Sequence, residues 1–472
     1  MPNFRLNISD GTTQVNLFSG TASFVREGGL SMPIPRVNAS LIPYAFDDGV
    51  RLASAKYEDR TISIITKIKG TSLTDLKSNI RTINGLLNDA EKRTLSGQGA
   101  KVYLEYQWGD TAGQSTFFDI LRGDLTMPAD YLNTYLKDFY IKDAVINLTC
   151  KPFGRYTNQT IAQDTLENEI AGANLCYTNI STSESYGDVP ARLYAKIAQT
   201  GAIGTGTMWV AKRSGSRYQD NLWNQTENYS GTPNLYQAPV NFYKEADATM
   251  SGGTVLKIDC DIGSAIGGSS IIGRTDYNFS PIPEGQYRVL ARTKGTSVIG
   301  NAMGNMAWGF GWTYGNRTYI PSIAKGEYYS NATANVYQTL DLGVLNIPPI
   351  PKSDIALNNI FTLQLFATNR HTLSATGTAS WFSDYLFLLP IDEGCVIAGS
   401  INPTDVLAID GITESPEVYT LTTGGSISNY PDKRGSPFTL GRENTRLYVL
   451  KDDVKATTFA VDLQYQPLYL TI

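Results

Sequence analysis

From about residue 156 to 395 the sequence contains no run in which apolar residues recur at three- and four-residue intervals, so some 240 consecutive residues offer no amphipathic helix to a core. The stretch is dense in Gly, Ser, Asn, Thr and Tyr, and it carries short β-branched or aromatic runs at Ala191–Ile197, Val255–Cys260 and Gly285–Arg292. Such runs between turn formers read as strands. Two antiparallel sheets packed face to face, of jelly-roll or galectin-like type, are the natural way for them to bury their apolar sides. Over Ala307–Tyr314 the alternation is strict: Trp308, Phe310, Trp312 and Tyr314 face one way, and Ala307, Gly309, Gly311 and Thr313 the other.

Residues 1–155 have a different texture. Ile62–Lys69 and Lys101–Trp108 are strand-like, and between them lies the one good helical pattern. Leu76, Ile80, Ile83, Leu87 and Ala90 line one face, while Lys77, Arg81, Asp89, Lys92 and Arg93 lie off it. Ser72 suits an N-cap, Asp75 three residues on completes an acidic capping box, and Ser96–Gly99 stops the helix. A single apolar stripe needs a cover, and the neighbouring strands supply it, so this unit is expected to be α+β with strands dominant. Phe117–Gly123 and Ala144–Cys150 add further strands, and Pro152, which lacks the N–H a central strand needs, marks a boundary near 155. A third segment, 396–472, opens with Val406–Asp410 and ends with Thr445–Leu450 and Thr458–Tyr465, expected to complete a sandwich or the first unit.

Charge narrows the functional classes. Lys and Arg number 39 against 44 Asp and Glu, a formal charge of −5, with only 18% of residues charged, so no basic surface seeks nucleic acid. At 42% hydrophobic residues the chain can pack rather than stay disordered. The opening residues show no apolar signal segment, and the most apolar run, Trp381–Pro390, holds an Asp and is about half of a bilayer span. Cys150, Cys176, Cys260 and Cys395 form no CxxC and are expected to be reduced core thiols.

Chemistry-bearing motifs are few. The sole histidine, His371, has no second ligand type beside it, no GxSxG elbow supplies a serine, and neither GxGxxG after a strand nor GxxxxGK[ST] occurs. No catalytic residue, metal or cofactor is expected, and no DxDxDG loop announces calcium. Asp259, Asp261, Asp384, Asp392 and Glu393 could supply a glycosidase pair only if folding set two of them at the right separation. Sugar recognition uses aromatic rings helped by polar side chains. The candidates are Trp308, Trp312 and Tyr314, then Trp209, Trp223 and Tyr229. The competing reading is that an alternating aromatic face fills a sandwich core.

The order of pieces resembles a known family. A strand, then Lys67–Ser72 and the helix, then strands ending in Ala144–Gly154, is similar to the N-terminal belt domain of distal tail (Dit) and related minor tail proteins of long, flexible-tailed bacteriophages. Gly187-Asp-Val-Pro-Ala191 resembles the lead-in to their β-sandwich, and Pro437–Leu447 followed by Ala460–Pro467 resembles their closing hairpin. The resemblance covers about half of the chain. It implies a virion protein, made in the bacterial host cytoplasm, that forms a homo-oligomeric ring, most often a hexamer, at the tail tip or baseplate. Its partners would be tube, tape-measure and hub or fibre proteins. The long middle segment departs from compact family members and implies an enlarged, carbohydrate-binding-like module open to a host surface glycan. The rival class is a carbohydrate-binding protein or polysaccharide-acting enzyme built of β-sandwich modules.

Overall fold

The computed structural model describes residues 4–18, 23–43, 50–107, 115–129, 139–161, 164–167, 176–181, 187–202, 204–215, 223–225, 234–235, 240–247, 253–261, 271–279, 282, 284–296, 306–314, 317–319, 335–347, 361–369, 378–413, 415–441, 443–452 and 457–470. The chain is mainly β with a single helix among the described residues, as its patterning requires. It divides into two compact units: residues 1–159, 184–192 and 465–472 make the first, and 160–183 with 193–464 the second.

In the first unit an antiparallel run of strands begins with Gln14–Asn16 beside Arg5–Ser9. It continues through Tyr103–Gln107 and Thr116–Thr126 to Tyr140–Cys150, Arg60–Lys69 and Ser23–Ser31. Arg60–Lys69 alternates buried and partly exposed residues along its whole length, so Ile62, Ile64 and Ile68 enter the core. The helix, Leu73–Ser96, covers that core. Leu76, Ile83, Leu86, Leu87 and Ala90 are buried, one position more than the expected stripe at Leu86, and Ile80 is only partly covered. Ser72 caps the helix by accepting the Asp75 N–H at 3.1 Å, and Asp75 accepts the Thr71 N–H at 2.8 Å. Gly97, left-handed at φ 70°, closes the other end by donating to the Arg93 carbonyl. Close approach of helix and sheet has a sequence cause at Gly123, where a Cβ would stand 2.8 Å from Leu87 and 2.9 Å from Leu148.

The first unit is finished by the far end of the chain. Gly154–Arg155 pairs with Leu468–Tyr469, Tyr156 donates to the Pro467 carbonyl, and Leu470 donates to Asp188 at 2.9 Å. The Arg60 guanidinium, 1% exposed, lies over the Phe118 ring and donates to the Leu470 carbonyl. Asp119, also buried, gathers Arg155 at 2.9 Å, Lys101 at 3.3 Å and Lys151 at 3.9 Å. Burial alone would raise the Asp119 pKa, but the charges of Arg155, Lys101 and Lys151 overcome it and hold the carboxyl below its ordinary 3.8.

The second unit holds two pairs of sheets. In the first pair, Asp164–Glu167, Thr458–Tyr469, Val189–Thr200, Val406–Asp410, Glu417–Leu421 and Ile427–Asn429 follow one another as neighbours in one sheet. Tyr177–Ile180, Thr445–Lys451, Gly206–Ser214, Cys395–Ile401 and Lys433–Gly435 form the other. Gly206–Ser214 and Cys395–Ile401 are hydrogen-bonded neighbours, and the second pair of sheets is spliced between them. One of these sheets runs Val240–Ala246, Thr254–Asp261, Thr378–Pro390, Gly285–Gly295 and Gln338–Ile347, and the other Asn234–Leu235, Ile271–Phe279, Phe361–Asn369, Met306–Tyr314 and Arg317–Tyr319. Both contribute to one core, and Tyr277 and Ser383 share a hydrogen bond from sheet to sheet at 3.1 Å.

One expectation is corrected. Thr445–Lys451 and Thr458–Tyr469 do not form a closing hairpin, because the first pairs with Gly206–Ser214 and Tyr177–Ile180 while the second lies in a different sheet. All seven residues of Thr445–Lys451 are buried, so this strand has a covered surface on both sides that a terminal hairpin would leave open.

Two outcomes follow. Gly187 sits at φ +91°, where an added Cβ would collide with the Leu468 backbone; Gly187→Ala is expected to cost at least about 2 kcal/mol, read as a lower urea midpoint in circular dichroism. Because the Asp119 pKa is depressed on folding, its contribution is present above about pH 4 and is lost as pH falls through its native value. Asp119→Asn should cost about 2 kcal/mol at pH 7 and flatten the acid limb of the stability profile.

Candidate functional site

The sequence-derived aromatic candidates separate on burial. Trp308 and Trp312 lie in Met306–Tyr314 and Trp209 in Gly206–Ser214, and they are 2%, 5% and 3% exposed. All three belong to one apolar cluster with Phe310, Tyr287, Trp381 and Phe387. Trp312 stacks on Phe361 at 5.7 Å between ring centres. A ring with both faces packed has none left for a sugar, so these three act as core. Tyr314 and Trp223 are strand residues whose side chains lie outside the described residues, as does Tyr229 altogether. The Gly309 and Gly311 side of the same strand is buried as well, consistent with a central strand between Phe361–Asn369 and Arg317–Tyr319.

The carboxylates proposed for hydrolysis are engaged in structural pairs. Asp384 is buried beside Arg292 at 3.6 Å, Asp392 lies 3.8 Å from Arg213, and Glu393 accepts the Ser214 N–H at 2.7 Å. Asp259 accepts from the Tyr243 and Ser380 hydroxyls and pairs with Lys257 at 3.3 Å. The side chain of Asp261 and the whole of His371 lie outside the described residues. No group of three or more His, Cys, Asp or Glu side chains is gathered as for a metal among the described residues, and no described helix is long and apolar enough to cross a membrane. Cys150 and Cys176 are buried free thiols, and Cys395 is a half-buried one whose pKa burial pushes up to about 12.

Sequence reasoning missed a cation and ring row on one sheet. Tyr243, Lys257, Phe382 and Lys294 stand in register across four adjacent strands. The Lys257 ammonium lies 5.0 Å from the Tyr243 ring and 5.2 Å from Phe382, and that of Lys294 lies 4.0 Å from Phe382 and 4.3 Å from Tyr337. Burial would lower the Lys257 pKa, but hydrogen bonds to Tyr243, Glu245 and Asp259 and the Asp259 charge raise it above the usual range, whereas burial brings the Lys294 pKa below its ordinary value.

The first unit presents a different feature. Val37–Pro43 and Val50–Tyr57 form a two-stranded antiparallel sheet of their own, joined to no other strand among the described residues. At its root Ile34 and Val37 are 61% and 52% exposed. The preceding strand, Ser23–Ser31, pairs only with Arg60–Lys69 and leaves its other backbone edge unmatched among the described strands. A hairpin isolated from a third strand is marginal in water, and an open edge templates further pairing.

No protein-family model matches the chain, and no curated protein matches it. Among solved structures it is similar to the Dit protein of phage SPP1, described as a hub of the adsorption apparatus in phages that infect Gram-positive hosts, at TM-score 0.33 and 8% identity over 98% of this chain and 99% of that one. It is also similar to the phage p2 baseplate in its activated conformation, at TM-score 0.23 and 13% identity over 81% and 98%, and to a Paenibacillus xanthan lyase, at TM-score 0.21 and 10% identity over 91% and 55%.

The core role of the indole predicts that Trp308→Ala lowers stability by about 3–5 kcal/mol, measured by chemical unfolding.

Proposed function

We propose that this chain is a structural component of a phage tail tip or baseplate whose first unit joins copies of itself into a ring. The observation that carries the reading is the Val37–Tyr57 hairpin, a two-stranded sheet that pairs with no further strand among the described residues. Closing a ring demands that one surface of each protomer engage a different surface of the next. A hairpin without a third strand and an unmatched sheet edge are two such surfaces on a single unit. The order of strand, capped helix and strands ending at Cys150 supports the same reading, since it follows the sequence resemblance to distal tail proteins. Six copies, contacts with tube and hub proteins, and a place in the virion belong to this proposal. The function is assembly, without chemical turnover.

Light scattering on the purified chain at micromolar concentration is expected to give a mass several-fold above 51.6 kDa. Replacing residues 37–57 by a short turn should return it to the monomer while leaving the circular dichroism of the remaining strands intact. A wild-type chain that stays monomeric, or a shortened one that assembles as before, would defeat the proposal.

A further inference from the structure

Three cations converge on one buried carboxylate in the first unit. Arg155, Lys101 and Lys151 all pair with Asp119, so the four groups together carry two more positive charges than negative, and the three cationic side chains stay 20%, 36% and 28% exposed. A second anion can reach them. Arg155 is the best placed to receive it. Its Nε donates to Asp119 at 2.9 Å, and its guanidinium lies 5.4 Å from the Phe117 ring and 5.7 Å from that of Tyr103, so carboxylate and rings together hold the group in place. Its two terminal amino groups make no hydrogen bond among the described residues. An open guanidinium edge matches the paired oxygens of a carboxylate.

The sequence supplies the complementary charge at one end of the Val37–Tyr57 hairpin. Pro43 and Val50 are partners in register, and the connection between them, residues 44–49, reads Tyr-Ala-Phe-Asp-Asp-Gly. These six lie outside the described residues, but their place in the chain puts Asp47 and Asp48 at the end of the hairpin opposite its root. The root stands beside the cations. Val37 pairs with Tyr57, and the Tyr57 ring lies 5.1 Å from that of Phe153, two residues from both Lys151 and Arg155. Strand Val37–Pro43 has seven residues, which at about 3.3 Å each set the connection about 20 Å from the root. A hairpin of that length holds its acidic end away from its own cluster, and Val37, Asn38, Ala39 and Ser40 along it are exposed.

We propose that Asp47 and Asp48 of one copy bind the Arg155, Lys101 and Lys151 cluster of the next, so that this cluster is complete only between copies. Two adjacent carboxylates match an excess of two positive charges, and Phe46 before them offers a ring to the half-buried Tyr103 and Phe117. The contact rests on the ring proposed above and gives the hairpin its seat.

The test uses the full chain and reads self-association by light scattering over a dilution series, at about 50 and about 500 mM salt. Asp47→Ser together with Asp48→Ser, both suited to a turn, should raise the concentration at which copies assemble about tenfold at the lower salt, remove most of the salt dependence of the wild type, and leave melting unchanged. Arg155→Lys, which keeps the charge and removes the fork, should weaken assembly in the same direction. A tagged chain with Asp48→Cys, mixed with an untagged one carrying Lys101→Cys and oxidised, should form a tagged–untagged disulfide that it does not form with the wild-type chain. Because each cysteine is on a different chain, that bond reports a contact between copies even if one of the other variants folds poorly. A wild type that assembles while the serine pair assembles as tightly, or mixed chains that give no bond, overturns this contact and leaves the ring standing. A wild type that stays monomeric removes both.

Discussion

Backbone hydrogen bonds between Gly154–Arg155 and Leu468–Tyr469 tie two places more than three hundred residues apart into one sheet, and the first unit is not closed until they form. Around them the details agree. Gly187 lets the Leu468 backbone pass where no side chain would fit, Asp188 takes the Leu470 N–H, and the buried Arg60 guanidinium finds the Leu470 carbonyl as its acceptor. Without that last turn of chain Arg60 would be an unsatisfied charge in an apolar setting, an arrangement proteins avoid. Closure by Leu468–Tyr469 also makes the unit depend on contacts of long sequence separation, a topology associated with slow folding.

The second unit relies on a comparable group. Arg213 has a fully buried side chain, lies 4.8 Å from the Tyr287 ring, donates to the Glu284 carbonyl at 2.9 Å and faces Asp392. It stands on Gly206–Ser214, while Tyr287 and Glu284 belong to the spliced pair of sheets, so one planar cation joins both halves of the unit. The ring pair Phe387 and Tyr448, 6.0 Å apart, spans the same junction. Planarity, permanent charge and several donors explain why an arginine rather than a lysine serves there.

What could be read from the residues was whatever a local period encodes. The helix was legible because its stripe, its Ser72 cap and its Gly97 stop all lie within twenty-six residues. Ile62–Lys69 and Ala144–Cys150 were legible because one face of each is apolar. At Trp308, Phe310 and Trp312 the period showed which residues share a face but not what covers it, since a sugar platform and a sandwich core demand the same rings. The closing hairpin that the family resemblance implies fails because no local period says which sheet a strand joins, and Thr445–Lys451 and Thr458–Tyr469 belong to different ones. The cation and ring row left no trace in any window, because Tyr243, Lys257, Phe382 and Lys294 meet only through strand pairing.

The splice point has an evolutionary consequence. Ala211 and Cys395 face each other in register, so the chain departs and returns one strand spacing apart, whatever lies between. A graft at such a socket closes no new loop in its host, and lineages could trade one cargo for another without redesigning the surrounding strands. The limit on that trade is the shared apolar seam at Trp209, Tyr448 and Leu450, which any replacement would have to shield from water.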